Sequence, residues 1–552
     1  MVGVTPGVRF VMLPWSASFP LWPLTHPKGQ VMPLAGPPPT HVVPIDGLLA
    51  RGLKTKPDDL ALVGVKTQMS WRQVDESSAR LASQYLALGL QPGDRLASLM
   101  PNRPALVIHY LACLRAALVA TPLNYRYMPP EIDHALEVSG ASLLLHHAER
   151  DADVAASRFG NHLAKGAIRF EANGGPGPHY EELLAQPQTN VQLPTPGLEA
   201  PAFIYFTSGS TGKPKGVTHT RRTFAKMMGS VIDGMELTDA DTFLPGSSFS
   251  HIGGSLFGLA TLAVGARLAI ARGSDGHEML PILEKYSPTV LSMLPAALIA
   301  LVRDHGASPK DFASIRLCTA GGDKVSQELE REFTELAGFP VDESYGMTET
   351  GITAINPPSG ENRLGSIGKL CPGYELSLRG DAGDEVPIGT QGRLWIRSAA
   401  NMIGYWNHPQ ATAETIVDGW LDTGDVMRID ADGYLWFCGR KKQIIVHDGS
   451  NICPQEVEEA IAQHPAIQAA GVIGVHDLLH GENVRAYVTL REGAKRPTSA
   501  EVIRFARDRI GYKAPEEIVF LDEMPLNATG KVDRVMLKRM ADERVAATSI
   551  CD

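Results

Sequence analysis

The chain has 552 residues, several times the length of one small domain, so a single-core binding module is excluded and several subdomains are expected. Hydrophobic residues make up 44% and charged residues 20%, the balance of a globular protein and not of a disordered or fibrous one. Lys plus Arg number 51 against 61 Asp plus Glu, a net charge of −10; with no basic surplus to neutralise a phosphate backbone, nucleic acid is not an expected partner.

Residues 1–39 carry Pro at 6, 14, 20, 23, 27, 33, 37, 38 and 39 around Trp15 and Trp22, with no helical or strand period, and read as a loosely ordered N-terminal extension. Its prolines interrupt any signal-peptide core, and initiation at Met12 or Met32 is an alternative explanation of the stretch. From about residue 40 the texture is α/β. A strand at Arg95–Met100, a turn with Pro101 and Pro104, and a helix at Ala105–Leu118 form one such unit. The apolar run Ala105–Pro122 holds His109 and Arg115, which suits a buried core helix and not a membrane span, so no transmembrane segment is expected. Thr289–Leu294 reads as a strand before a helix at Ala296–Arg303, and Ile315–Thr319 as a strand leading into Gly321-Gly322. Turns at the carboxyl ends of parallel strands are where ligands sit. Further on, Gly433–Gly439 reads as a strand, and Pro454 opens a short helix with Val457, Ala460 and Ile461 on one face. The expected fold class is α/β: a large N-terminal domain of doubly wound sheets with subdomains over 40–438, a joint at 439–442, and a small α+β C-terminal domain over 443–552. The six cysteines, Cys113, Cys318, Cys371, Cys438, Cys453 and Cys551, are scattered without a C-x-x-C pair. Neither a zinc framework nor a disulfide scaffold is indicated, and a reducing cytoplasm fits.

The stretch Tyr205–Gly216, YFTSGSTGKPKG, has what an anion-binding loop needs: glycines for close backbone approach, hydroxyl donors and lysines. It is not a Walker A sequence, because Pro214 follows Gly212-Lys213 and only two residues separate Gly209 from Gly212. Composition alone would equally describe a mobile surface loop.

Together with Ser344–Thr350 (SYGMTET), Gly419–Asp425 (GWLDTGD), Gly439–Lys442 (GRKK) and Asn527–Lys531 (NATGK), this stretch resembles the motif series of the acyl-adenylate-forming, AMP-binding superfamily. That superfamily comprises acyl-CoA synthetases, nonribosomal peptide adenylation domains and beetle luciferases. The resemblance runs in order from about residue 45 to 540. It implies that a carboxylate is joined to AMP with release of pyrophosphate, and that the acyl group then passes to a thiol. It also implies ATP, Mg2+ and coenzyme A as cofactors or co-substrates. By resemblance Thr207, Ser208, Gly209, Ser210, Thr211, Gly212 and Lys213 hold the β,γ-phosphates, Thr348 the α-phosphate and Glu349 the magnesium. Lys531 bridges carboxylate and phosphate oxygens. Tyr345 and Asp425 serve the nucleoside, with Gly346 and Met347 beside them, Arg440 near the ribose and Gly321-Gly322 on the adenine side. His251 lines the acyl pocket and the route for the thiol, and Gly253-Gly254 after it removes side-chain bulk. The C-terminal domain is then a mobile cap that swings about Lys442, and the loop Val446–Asn451, with Gly449, inserts beside the pantetheine. Gln443 stands where an acidic residue is common, and His447-Asp448 replaces small residues.

The leading expectation is an ATP-dependent acid–CoA ligase of the acyl-CoA synthetase, or fatty-acid–CoA ligase, branch. Residues 246–258 contain no carboxylate to pair with an ammonium group, which makes an amino-acid adenylation domain the weaker reading. A luciferase-like oxygenase and a non-catalytic paralogue are the other classes. The candidate pocket residues Ile252, Gly253, Gly254, Ala320, Met347, Gly351 and Ile352 are uncharged. They favour a short- to medium-chain aliphatic acid, with an aryl acid or a carrier-protein acceptor as the alternative; a homodimer remains open.

Overall fold

The computed structural model describes residues 33–160, 162–172, 174, 177–189, 191–207, 214–274, 276–441, 443–447, 450–477, 481–527 and 530–549. Among the described residues four sheets form. One has seven strands, with Pro201–Thr207, Val119–Pro122, Arg95–Leu99, Leu143–His147 and Ala167–Phe170 running parallel and Lys215–Thr220 and Gly404–Tyr405 added antiparallel at one edge. A second has nine, of which Asp342–Met347, Leu317–Gly321, Val290–Met293, Thr242–Pro245, Arg267–Ile270 and Leu60–Gly64 form a parallel centre.

Helices Pro104–Arg115 and Arg221–Gly234 pack against strands of both sheets. Sandwiching explains why Pro104–Arg115 is apolar all round and lacks an amphipathic stripe: each residue from Pro104 to Leu114 is buried. Pro104 opens that helix, where its missing N–H leaves no hydrogen bond unmade. The strand and helix expected at Arg95–Met100 and Ala105–Leu118 are present as Arg95–Leu99 and Pro104–Arg115.

The third sheet has six strands, is antiparallel, and includes Tyr374–Arg379, Gln391–Ser398, Trp420–Ile429 and Leu435–Arg440. Leu34–Ala35 joins its edge, so part of the proline-rich extension is paired backbone, contrary to the patternless arm expected there. The prolines leave too short a run for a sequence period to be visible. The fourth sheet, of five strands, belongs to the C-terminal part. Ile467–Asp477 and Gly481–Leu490 form its antiparallel centre, and helices Pro454–Ala462 and Ser499–Ile510 cover a core built on Val457, Ile461, Val472, Val484 and Val502.

Packing aims the strand that leads into the anion-loop motif. On Pro201–Thr207, Phe203 is fully buried and stacks on Phe224 with ring centroids 4.4 Å apart, while Tyr205 donates or accepts a 2.7 Å hydrogen bond with Ser255. Phe203→Ala is expected to cost about 3–5 kcal/mol, read as a lower urea midpoint of the far-UV circular dichroism transition. An unchanged midpoint would contradict this account of the core.

Candidate active site

The carboxyl ends of Leu317–Gly321 and Asp342–Met347 meet closely. A Cβ on Gly321 would lie 2.5 Å from Ser344 Oγ, and Gly322 turns the chain at φ +83°. Both glycines therefore form a thin floor that side chains would fill.

Over that floor stands a buried carboxylate. Asp425 is fully buried, accepts a 2.6 Å hydrogen bond from Tyr345 Oη on one oxygen, and accepts one of 2.8 Å from Arg440 Nε on the other. Asp425 and Arg440 are cross-strand partners on Trp420–Ile429 and Leu435–Arg440, so sheet register fixes the pair. Burial, with the Asp425 charge added, pushes the Tyr345 phenol well above its ordinary pKa. Each carboxylate oxygen keeps a second lone pair for a further donor such as a hydroxyl.

Glu349 lies on the turn after Asp342–Met347. Burial raises its pKa, and the 2.9 Å hydrogen bond that Tyr405 Oη donates to its Oε1 opposes that shift. Lys215 Nζ sits 4.4 Å from the Tyr405 ring centroid, a cation over the aromatic face. The preceding carbonyl, of Thr348, accepts a 2.8 Å hydrogen bond from His219 Nε2, whose pKa burial lowers to about 4. Glu349 makes no ion pair among the described residues, and no group there of three or more His, Cys, Asp or Glu could hold a metal ion by itself. A lone buried carboxylate fits a hard divalent cation that arrives with phosphate ligands of its own, since such ions commonly take only one or two carboxylates from the protein.

The C-terminal part supplies the next cation. Lys531 Nζ donates to the carbonyl of Gly322. Burial lowers the Lys531 pKa; Asp323 and Asp425 oppose that, and Arg440 and Arg534 add to it. Lys531, Asp425, Arg440 and Tyr345 thus share one pocket. His251 borders it: its pKa is lowered to about 4, by burial first and then by the charges of Lys531 and Arg126. The Asn124 amide nitrogen lies 3.4 Å from His251 Nε2.

The structure therefore gathers Gly321, Gly322, Tyr345, Thr348, Glu349, Asp425, Arg440, Lys531 and His251. Thr207 ends its strand opposite Lys215 in antiparallel register, at the base of the anion loop. Ser208, Gly209, Ser210, Thr211, Gly212, Lys213, Lys442, Asp448 and Gly449 lie outside the described residues. Gly346 packs with 2.5 Å between its would-be Cβ and the Gly351 carbonyl, and Met347 packs toward Val217, Met402 and Leu421. One expectation changes. Gly253 faces open space, but a Cβ on Gly254 would lie 2.4 Å from the Ser248 carbonyl, so Gly254 serves helix–loop packing and adds no pocket volume. His447 Nδ1 donates a 2.7 Å hydrogen bond to the Glu482 carbonyl, within the C-terminal sheet. Sequence reasoning missed Tyr405, His219, Asn124 and the role of Lys215 beside Tyr405. Each is positioned by tertiary contact; Lys215 lies within the Tyr205–Gly216 motif, but Tyr405, His219 and Asn124 have no period or motif of their own to mark them.

Comparison with known proteins decides the lineage. The AMP-binding enzyme family matches residues 49–406, and its C-terminal domain family, AMP-binding enzyme C-terminal domain, matches residues 456–531. The chain belongs to the AMP-binding enzyme family. It is 32% identical over 480 residues to a feruloyl-CoA synthase of Amycolatopsis sp, covering 86% of this chain and 94% of that one. It is 30% identical over 527 residues to a long-chain-fatty-acid–CoA ligase of Yersinia pestis, covering 88% and 92%. Among solved structures, an anthranilate CoA ligase in complex with anthranoyl-AMP superposes with a TM-score of 0.84 at 26% identity, covering 92% of this chain and 99% of that one. This places the family member in the acyl-CoA synthetase branch, as an AMP-forming acid–CoA ligase. No helix among the described residues is long and apolar enough to cross a membrane.

The low His251 pKa gives a direct check. In nitrogen-15 histidine spectra the His251 ring is expected to stay neutral down to about pH 5. Lys531→Ala should raise its midpoint by removing a neighbouring positive charge. A midpoint near the ordinary value of about 6.5 in the unaltered protein would contradict the burial and charge environment described.

Proposed function

We propose that this AMP-binding enzyme activates a hydrophobic monocarboxylic acid, of short to medium aliphatic chain length, through an acyl-adenylate and transfers it to coenzyme A. The observation that carries the reading is the meeting of Lys531 with Tyr345, Asp425 and Arg440 above Gly322, a cation from the C-terminal part set beside a nucleoside-type site. An anionic carboxylate must approach an anionic α-phosphate, and fixed positive charge in a water-poor site is worth most against that repulsion.

The residues take these roles. Thr207 through Lys213 hold the β,γ-phosphates, and Thr348 reaches the α-phosphate. Asp425 accepts the ribose hydroxyls, with Arg440 steadying it. Glu349 would ligate a magnesium ion shared with the phosphates; that ion supplies charge neutralisation of the triphosphate. Tyr405 and the Thr348–His219 contact hold the Glu349 turn in place. Lys531 donates to the substrate carboxylate and to a phosphate oxygen as the carboxylate oxygen bonds to the α-phosphorus and pyrophosphate leaves. In the second step the coenzyme A thiol loses its proton to solvent, its sulfur bonds to the acyl carbon, and AMP leaves with both electrons of the former acyl–oxygen bond. Lys442 is the pivot about which the cap moves between steps, and Gly449 lets the loop approach the pantetheine. His251 stays neutral and borders the acyl group; no proton-transfer role is given to it.

Uncharged residues about the acyl side, Ile252, Gly253 and Ile352, support an apolar acid over a diacid. An aryl acid is the second reading, favoured by the feruloyl and anthranilate ligases among the similar proteins. Free thiols at Cys113, Cys318, Cys371, Cys438 and Cys453 support a reducing, cytoplasmic setting.

Acid-dependent pyrophosphate exchange should appear with an aliphatic acid from a panel of aliphatic, aryl and polar acids; exchange with aryl acids alone would transfer the reading to the second class. Lys531→Ala is expected to lower exchange by about 10²–10³-fold while thioester formation from supplied acyl-adenylate changes little. Equal loss in both steps would contradict the assignment of Lys531 to the first step.

A further inference from the structure

Beyond the floor of the nucleotide pocket, the segment that follows Gly322 faces the cap with charged side chains. Lys324 Nζ lies 2.5 Å from Glu459 Oε2, and their side chains are only 29% and 15% exposed. Glu459 sits on helix Pro454–Ala462 of the cap. Its neighbour Glu458 receives Arg534 on both carboxylate oxygens at 2.6 Å and accepts the Val472 N–H at 2.7 Å. Arg534 stands three residues after Lys531, so the cap helix, the Glu458–Arg534 pair and the Lys531 turn are one connected unit. On the large-domain side, Asp323 acts electrostatically on Lys531, opposing the effect of its burial. Farther along, Arg491 of the cap lies 3.4 Å from Glu328.

We propose that Lys324 is a positioning residue of the first half-reaction. The Lys324–Glu459 ion pair docks the cap helix on the large domain, and this contact must break before the thiol step. This rests on the role given to Lys531 under the proposed function. Exposed single ion pairs contribute little, but this pair is partly buried, and an unpaired partner left at such an interface is costly while opposed charges fix register. Lys324 does not need to touch substrate for this; it acts on where Lys531 stands.

The test is a charge exchange. Lys324→Glu and Glu459→Lys are made singly and together, with dyes at the exposed Asp384 and Glu492 reporting the distance between the two domains. Each single variant is expected to lose about tenfold in acid-dependent pyrophosphate exchange, to keep thioester formation from supplied acyl-adenylate within about twofold, and to shift energy transfer toward a separated cap. The double variant should regain most of the exchange and the energy transfer, which a merely destabilising substitution would not do. Equal losses in both half-reactions, unchanged exchange in the single variants, or no recovery in the double variant would overturn the proposal. If the unaltered protein releases no pyrophosphate with any acid, the functional reading falls, while the dye pair still decides whether the ion pair holds the cap: loss in the singles and return in the double supports it, no change removes it.

Discussion

In the proposed reaction the rest of the molecule depends on a positive charge that can both arrive and depart. Two anions must react in the first step, and a cation fixed permanently over them would then stand where the thiol has to enter. The structure separates the two demands by chain segment. Asp425 and Arg440 are paired by sheet register and Tyr345 meets Asp425 from a second sheet, whereas Lys531 reaches the same pocket from the C-terminal part, held by the Gly322 carbonyl. The two sheets share helices packed between them. Phe203 and Phe224 pack beneath the strand that aims the anion loop, and the sandwiched helix Pro104–Arg115 joins one sheet to the other.

Burial sets the chemistry of the individual groups. Placing Glu349 and Asp425 away from water makes each carboxylate a strong local source of field. Tyr405 and the Tyr345–Arg440 pair supply the hydrogen bonds that a buried charge needs. The same desolvation works against Lys531 and His251. For His251 it is useful, because a neutral ring beside an apolar acid adds no competing charge. For Lys531 it is a cost that Asp323 and Asp425 oppose.

Much of this arrangement was legible from local sequence. The alternation of apolar strands with apolar helices implies the parallel sheets, and the Gly321-Gly322 pair marks a ligand-bearing turn because it follows the carboxyl end of a strand. Glu349, Asp425, Arg440 and Lys531 stand in short ordered motifs, and the roles proposed for them come from the family resemblance that those motifs carry. The antiparallel third sheet was not anticipated, although Gln391–Ser398 does alternate: Gly392, Leu394 and Ile396 point inward. Its outward face carries Trp395, with Arg379 stacked 4.5 Å from the ring centroid, so the apolar and polar faces do not separate cleanly in the sequence. Tyr405 and His219 were missed for a different reason. Their partners, Glu349 and Thr348, lie 56 and 129 positions away, and only the packing of the two large sheets brings them together. Lys324 was passed over likewise, its partner Glu459 being 135 positions distant.

The claim that a carboxylate oxygen is transferred to the α-phosphorus in this pocket is tested most directly by isotope. An accepted acid labelled with oxygen-18 in its carboxylate is incubated with the protein, ATP, magnesium and coenzyme A, and the nucleotide product is weighed by mass spectrometry. The account predicts AMP carrying one heavy oxygen, because the acyl carbon leaves that oxygen on phosphorus when sulfur replaces it. Unlabelled AMP, or a heavy oxygen found in inorganic phosphate with ADP as the nucleotide product, would contradict it.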